Sequence, residues 1–210
     1  MIRVLIADDH EIVRKGLKQI ISDTLGIEVT DEASNGQEAL DKIKQTNFDV
    51  VLLDIKMPGR TGLDILKDIK QFNPNLAVLI LTIYPEEQYA IRVLQSGASG
   101  YLTKDSAANE LILAIQKVAS GGKYVSASLA EKLAFYLDTD KEKEAHELLS
   151  AREYQVLLQL AQGVTIKEIS NNLNLSSKTI STYRSRILEK LNLKNTAEII
   201  HYAIKHKLVE

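Results

Sequence analysis

The chain has 210 residues, which at about 100–200 residues per domain allows one large domain or two small ones. With 45% hydrophobic and 26% charged residues it has the balance of a globular protein, and the absence of cysteine excludes disulfides, thiolate metal sites and thiol nucleophiles. The net charge of −2 conceals a split. Residues 1–149 carry 17 Lys+Arg against 23 Asp+Glu, whereas residues 150–210 carry 9 against 5, so a basic piece suited to polyanions ends the chain.

Met1 leads directly into the strand-like Ile2 to Ala7 rather than into a basic and then apolar leader, and no apolar run approaches the roughly 18–20 residues of a membrane span. A cytoplasmic protein is expected. Further short β-branched runs follow at Ile27 to Thr30, Val50 to Leu53, Leu76 to Leu81 and Gly100 to Leu102, each separated from the next by a helical pattern. Five strands alternating with five helices predict an α/β fold with a doubly wound parallel sheet. Ser34 with Gln37, Pro85 before Glu86 and Glu87, and Asp105 before Ala107 to Ala119 supply helix starts.

Past Gly121 and Gly122 comes a short helical stretch, Ser128 to Leu137, and then the charged run Asp138 to Glu147. Residues 122–147 therefore read as a linker with a short helix, between a domain at 1–121 and another at 148–210. The last sixty residues are purely helical in pattern. Capping pairs Ser150/Glu153, Thr165/Glu168 and Asn195/Glu198, together with Ser176, predict a small all-α domain of four helices at about 151–162, 166–173, 177–191 and 196–206.

Asp8 and Asp9 follow the first strand, Asp54 closes the third, Thr82 the fourth, and Lys104 stands just past the fifth. All lie at carboxyl ends of parallel strands, the edge where such sheets bind ligands. A single Asp in such a place is commonly a cap or turn residue; several converging carboxylates instead ask for a cation. Oxygen donors without His or Cys favour Mg²⁺, with Asp9 and Asp54 as direct ligands, Asp8 acting through water, and Lys104 holding an anion that can be transferred to Asp54. His10, His146, His201 and His206 show no metal-ligand spacing, and His10 reads as surface polarity.

In the basic piece, Ile166 to Leu173, a turn at Asn174 to Ser176 and the helix from Ser177 to Leu191 have the pattern of a helix-turn-helix. Ile180, Ile187, Leu188 and Leu191 form its apolar stripe. Lys178, Ser181, Thr182 and Ser185 share another face, with Arg184 and Arg186 beside them. Lys178, Thr179, Tyr183, Arg184 and Arg186 are candidates for DNA phosphate contacts, and Ser181, Thr182 and Ser185 for base edges. Read alone, such a helix could equally be a solvated surface. Ile199, Ile200, Ala203 and Ile204 make a stripe on the last helix that could pack inward or pair two copies.

These residues carry a resemblance. Asp8-Asp9, Leu52-Leu53-Asp54 with Met57-Pro58-Gly59, Thr82, and Gly100-Tyr101-Leu102-Thr103-Lys104 resemble the flavodoxin-like receiver domain of bacterial two-component response regulators, across about residues 1–120. Leu149 to Glu153, Leu160 to Gly163 with Lys167 to Ile169, and Leu175 to Tyr183 resemble the LuxR-type helix-turn-helix domain. The chain as a whole is similar to the NarL/FixJ family. The resemblance implies that Asp54 is the phosphoacceptor for a sensor histidine kinase and that Asp8, Asp9, Asp54 and the backbone carbonyl of Lys56 surround Mg²⁺. It further implies that Lys104 contacts the phosphoryl group, and that Thr82 and Tyr101 form a switch pair. It makes double-stranded DNA the partner of a homodimer joined through the last helix, with RNA polymerase a further candidate and no membrane partner. Asp105 stands where many receivers have a proline after a cis peptide.

Two other classes of function use the same residues. A Mg²⁺-dependent phosphatase or phosphotransferase would use Asp54 as nucleophile, but Lys56 occupies the position two beyond it where an acid-base residue is wanted. A receiver-like scaffold indifferent to phosphate would have little need of Thr82 and Lys104. A transcription regulator, not an enzyme, is the expected function.

Overall fold

The computed structural model describes residues 1–138 and 144–209, which fall into two compact units, one ending at Asp138. Part of the charged run expected from Asp138 to Glu147 lies outside the described residues.

The first unit is a five-stranded, all-parallel sheet in the order β2-β1-β3-β4-β5: β1 (Ile2–Ala7), β2 (Ile27–Ala33), β3 (Val50–Leu53), β4 (Ala77–Thr82) and β5 (Gly100–Thr103). Helices α1 (Glu11–Ser22), α2 (Gly36–Gln45), α3 (Gly62–Phe72), α4 (Glu86–Gln95) and α5 (Ala107–Ala119) make the connections. β3 and β4 are buried at every position, because helices cover both faces. One face packs Val4, Ile6, Leu52, Leu79 and Leu81 against Leu17 and Ile21 of α1 and Leu111 and Ile115 of α5.

β2 is longer than its sequence pattern suggests. Between Val4 and Leu5 the pairing with β2 skips a residue, with Val4 opposite Val29 and Leu5 opposite Asp31. The bulge at Thr30 reverses the alternation of inward and outward residues, so the apolar signal stops there while the strand continues. Caps differ in detail too. The α2 cap is Asn35, whose side chain accepts from Glu38 N, while Glu38 Oε2 accepts from the backbone N of Ser34. Ser106, not Asp105, precedes α5.

Helix α6 (Ala127–Asp138) belongs to the first unit and packs against α4, with Ser126 Oγ donating to Glu86 Oε2 at 2.6 Å and Leu129 buried. Tyr124 extends the sheet edge by bridging to Gly100. This stretch is therefore packed structure where a linker was expected.

The second unit opens with a 3-10 turn at Ala145–Leu148, followed by α7 (Ala151–Ala161), α8 (Ile166–Asn172), α9 (Ser177–Lys190) and α10 (Thr196–Lys205). Full capping boxes start α7 at Ser150/Glu153 and α8 at Thr165/Glu168. At α10 Asn195 caps Glu198 N, but Glu198 Oε2 reaches back to Lys194 N. α7 is the central helix, packed by α8, α9 and α10. No cis peptide bond occurs among the described residues, and none of the described helices is long and apolar enough to cross a membrane.

Candidate functional site: an acidic crevice and an exposed basic helix

The sheet order changes direction between β1 and β3. From β1 the chain moves outward to β2, and from β3 it moves the other way, which opens a crevice at the carboxyl ends of these two strands. Asp8 and Asp54 stand on its two sides, tied by Asp54 N donating to the carbonyl of Ala7 at 2.9 Å. Both carboxylates are buried, and Lys104 Nζ lies 2.6 Å from an oxygen of each. Three strand ends separated by up to 96 positions thus meet at one ammonium group.

Burial raises the pKa of Asp54 above the ordinary carboxylate value, and the nearby Asp8 adds to this; Lys104 and the Lys56 amide oppose it without cancelling it. Burial alone would lower the pKa of Lys104, but the two carboxylates outweigh it, and the ammonium is held charged. The backbone N–H of Lys56 donates to Asp54 Oδ1 at 3.1 Å, which fixes the loop below the carboxylate.

That loop turns through Gly59, at φ +78°, and enters α3 at Gly62. A Cβ on Gly62 would sit 2.1 Å from the carbonyl oxygen of Asp54, so only glycine lets α3 start this close to the site. Thr61 and Asp64 cap α3 reciprocally, a pair the sequence reading passed over although its threonine and carboxylate have the standard spacing.

Asp9 is less buried than Asp8. One of its oxygens lies 2.8 Å from His10 Nδ1, without the alignment of a hydrogen bond. His10 also reaches Asp8 Oδ1, at 2.9 Å from its backbone nitrogen and 3.1 Å from Nδ1. This corrects the reading of His10 as mere surface polarity: its donor atom lies within 4.8 Å of those of Asp8, Asp9 and Asp54. The expectation that the histidines do not cluster also fails for His146 and His206, which gather with Glu144 within the same distance.

The donors fit a hard divalent cation. Oxygens of Asp8, Asp9 and Asp54 lie within 4.8 Å of one another with His10 at their edge, Lys104 reaches two of the three carboxylates, and the Asp9 oxygen lacks a hydrogen-bond partner among the described residues.

Thr82 and Tyr101 have related positions on adjacent strands. Ile80 pairs with Tyr101 and Thr82 with Thr103, so the two side chains point to the same face one step apart. Thr82 is fully buried and its hydroxyl finds no hydrogen-bond partner among the described residues. The Tyr101 ring is wholly buried, and its hydroxyl donates to the carbonyl of Tyr84 at 2.8 Å. It thereby holds the loop that follows Thr82.

In the second unit, Ile180 and Ile187 anchor α9, and Lys178, Ser181, Thr182, Ser185 and Arg186 are exposed. The face is polar but partly committed. Thr182 Oγ1 and Ser185 Oγ donate to carbonyls one turn back, Thr179 joins the Ser176 cap, and Arg184 Nε donates to Thr196 Oγ1 at 2.8 Å. Lys178, Thr179, Thr182, Tyr183 and Arg186 line one shallow groove with Ser176. On α10, Ile199 and Ala203 are buried while Ile204 is 55% exposed, so the stripe divides between an inward and an outward side.

Comparison with known proteins agrees with this architecture. Residues 4–116 match the response regulator receiver domain family, and residues 147–203 match the bacterial regulatory proteins of the luxR family. The chain is 39% identical over 209 residues to the response regulator UvrY of Escherichia coli K12, covering 99% of this chain and 96% of that protein. It is 38% identical over 210 residues to the response regulator GacA of Pseudomonas protegens, covering 100% and 99%. Among solved structures, RcsB of Salmonella enterica serovar Typhimurium, bound to the rprA promoter with the phosphomimetic BeF₃⁻, superposes with a TM-score of 0.65 at 26% identity, covering 96% of this chain and 97% of that one. The chain therefore belongs to the response regulators of two-component systems, in the branch that joins a receiver domain to a LuxR-type helix-turn-helix domain.

Proposed function

We propose that the protein is a phosphorylation-controlled transcription regulator of the bacterial cytoplasm, in which Asp54 accepts a phosphoryl group from a sensor histidine kinase and α9 reads DNA. The observation that carries this is Lys104 Nζ at 2.6 Å from both Asp8 and Asp54 at the crevice where the sheet changes direction. An Asp54 carboxylate oxygen attacks the phosphorus of a phosphohistidine, the P–N bond breaks as the P–O bond forms, and the electron pair stays on the imidazole.

Asp8, Asp9, Asp54 and the Lys56 carbonyl would hold Mg²⁺, which supplies neutralisation of the phosphoryl oxygens. Lys104 is positioned to follow those oxygens, exchanging an aspartate partner for the anion. The buried, unpartnered Thr82 hydroxyl can then donate to the new acceptor, and because Tyr101 sits one step away on the same face, the Tyr84 loop and α4 feel the change.

The receiver in this reading occupies residues 1–121, and 148–210 bind DNA. Lys178 and Arg186 contact phosphates, with Thr179, Tyr183 and Arg184 as further phosphate-side candidates and Ser181, Thr182 and Ser185 facing base edges. Exposed Ile204 and its neighbour Ile200 on α10 pair two copies, so that half-sites on DNA are read together. The histidine kinase and double-stranded DNA are thus the main partners, with RNA polymerase reached at the promoter. An independent phosphatase is disfavoured by Lys56, which stands two positions beyond Asp54 in place of a second carboxylate, and the UvrY- and GacA-like relatives support regulation rather than turnover.

The test is DNA mobility with Mg²⁺, with and without a small-molecule phosphodonor, for the wild type and Asp54→Asn. Phosphodonor-dependent binding in the wild type alone supports the reading. Equal enhancement of the variant overturns it.

A further inference from the structure

A second cluster of metal-binding chemistry lies in the helical unit. Glu144 and His146 come from the lead-in to α7, and His206 from the C-terminal end of α10, some sixty positions later. One donor atom from each lies within 4.8 Å of the others. His206 Nδ1 is already 2.9 Å from Glu144 Oε2.

Both imidazoles are held by Tyr202. Its hydroxyl lies 3.2 Å from the backbone nitrogen and from Nδ1 of His146, and its ring stacks on His206 with centroids 4.1 Å apart. The two histidine rings are 5.8 Å apart at 65°. Rings fixed in this way by neighbouring hydrogen bonds and stacking lose little freedom on binding a metal.

We propose that Glu144, His146 and His206 form a site for an imidazole-preferring divalent transition metal, Zn²⁺ being the fitting occupant, that clamps the entry of the helix-turn-helix domain to the end of α10. Two nitrogens and one carboxylate are the ligand set of a four-coordinate zinc with a water in the last place, and they discriminate against Mg²⁺, which prefers oxygen throughout. Bonds of about 2.0–2.1 Å put tetrahedral ligands roughly 3.3 Å apart, so the pair at 2.9 Å is nearly placed and the remaining closure is about 1.5 Å at most. Glu144, 43% exposed, has the freedom to make that movement. Nothing in this site depends on the phosphoryl chemistry of Asp54.

The experiment uses the full-length protein with millimolar Mg²⁺ present to occupy the acidic crevice, and titrates Zn²⁺ while following the imidazole NMR signals. Four histidines make each one a reporter. One equivalent should shift His146 and His206 and leave His201 unmoved. His206→Gln and Glu144→Gln should each weaken Zn²⁺ at least tenfold by competition with a chromophoric chelator, with Asp54→Asn leaving the affinity intact. A response confined to His10, or wild-type affinity in both variants, overturns the site. So does the absence of stoichiometric binding at micromolar Zn²⁺. The wild-type spectra decide the matter even if a variant folds poorly.

Discussion

At the scale of single residues, the receiver keeps the buried Thr82 hydroxyl in reserve. A fully buried hydroxyl without a partner costs about 1–3 kcal/mol, and selection against that cost operates at most positions. At Thr82 it is retained at the carboxyl edge of the sheet, and under the proposed function the crevice there gains acceptor oxygens when Asp54 is phosphorylated. Thr82→Val keeps the shape and removes the hydroxyl. In the unphosphorylated protein the variant is expected to unfold at a higher urea midpoint, by roughly 1 kcal/mol, while phosphodonor-dependent DNA binding falls. A loss of stability of similar size would show that the hydroxyl is satisfied at rest and that the switch is built otherwise. Asp54 and Lys104 were legible from sequence because each ends an apolar run, which fixes its place at the sheet edge without any knowledge of contacts. His10 was not, because its role comes from a backbone turn that brings its N–H and ring back onto Asp8.

At the scale of elements, the helix starts contribute stability that depends on charge. Glu38 at the start of α2 accepts from the backbone N–H of Ser34, the largest cause of its depressed pKa, and also pairs with Lys42; together they hold it at about 2 against an ordinary 4.5. A folded-state value below the unfolded one means that the ionised form is favoured by folding. The contribution is complete above about pH 4.5 and is lost as the pH falls through about 2. Because the side chain is 36% exposed, solvent screening keeps it below about 1 kcal/mol. Glu38→Ala should therefore lower the urea midpoint at pH 7, and the gap to the wild type should shrink steadily between pH 4.5 and 2; a gap that does not change with pH would show that the loss does not come from the ionised carboxylate, and helix propensity, which favours alanine, would not explain it either. The capping pattern also shows where sequence reading stops. Ser150/Glu153 and Thr165/Glu168 were readable because the two partners are three residues apart. The bulge that prolongs β2 and the packing of α6 on α4 depend on partners far along the chain, and no local periodicity records them. The Glu144, His146 and His206 cluster is hidden for the same reason: α10 must pack on α7 before its end can meet the lead-in.

For the whole molecule, the division of charge is the property that links sequence to function. An acidic stretch over residues 1–149 and a basic one over 150–210 would be uninformative on their own, but the structure places Lys178 and Arg186 on the exposed face of α9 and pairs Arg184 Nε with Thr196 of α10. The cations exposed on that face should release counterions when DNA binds. Each phosphate contact contributes close to 0.9 to the slope of log K against log salt. Replacing Lys178 and Arg186 by alanine should then flatten that slope by about 2 if one copy binds, and by about 4 if two copies bind together through α10. Ser181→Ala should leave the slope alone and alter discrimination between sequences. Measuring the double variant with and without phosphodonor separates two modes of control: phosphorylation that assembles a dimer on DNA changes the slope difference from about 2 to about 4. Phosphorylation that merely releases a preformed dimer leaves the difference constant while raising affinity. A double variant with the wild-type slope in both states would remove α9 from the DNA interface altogether.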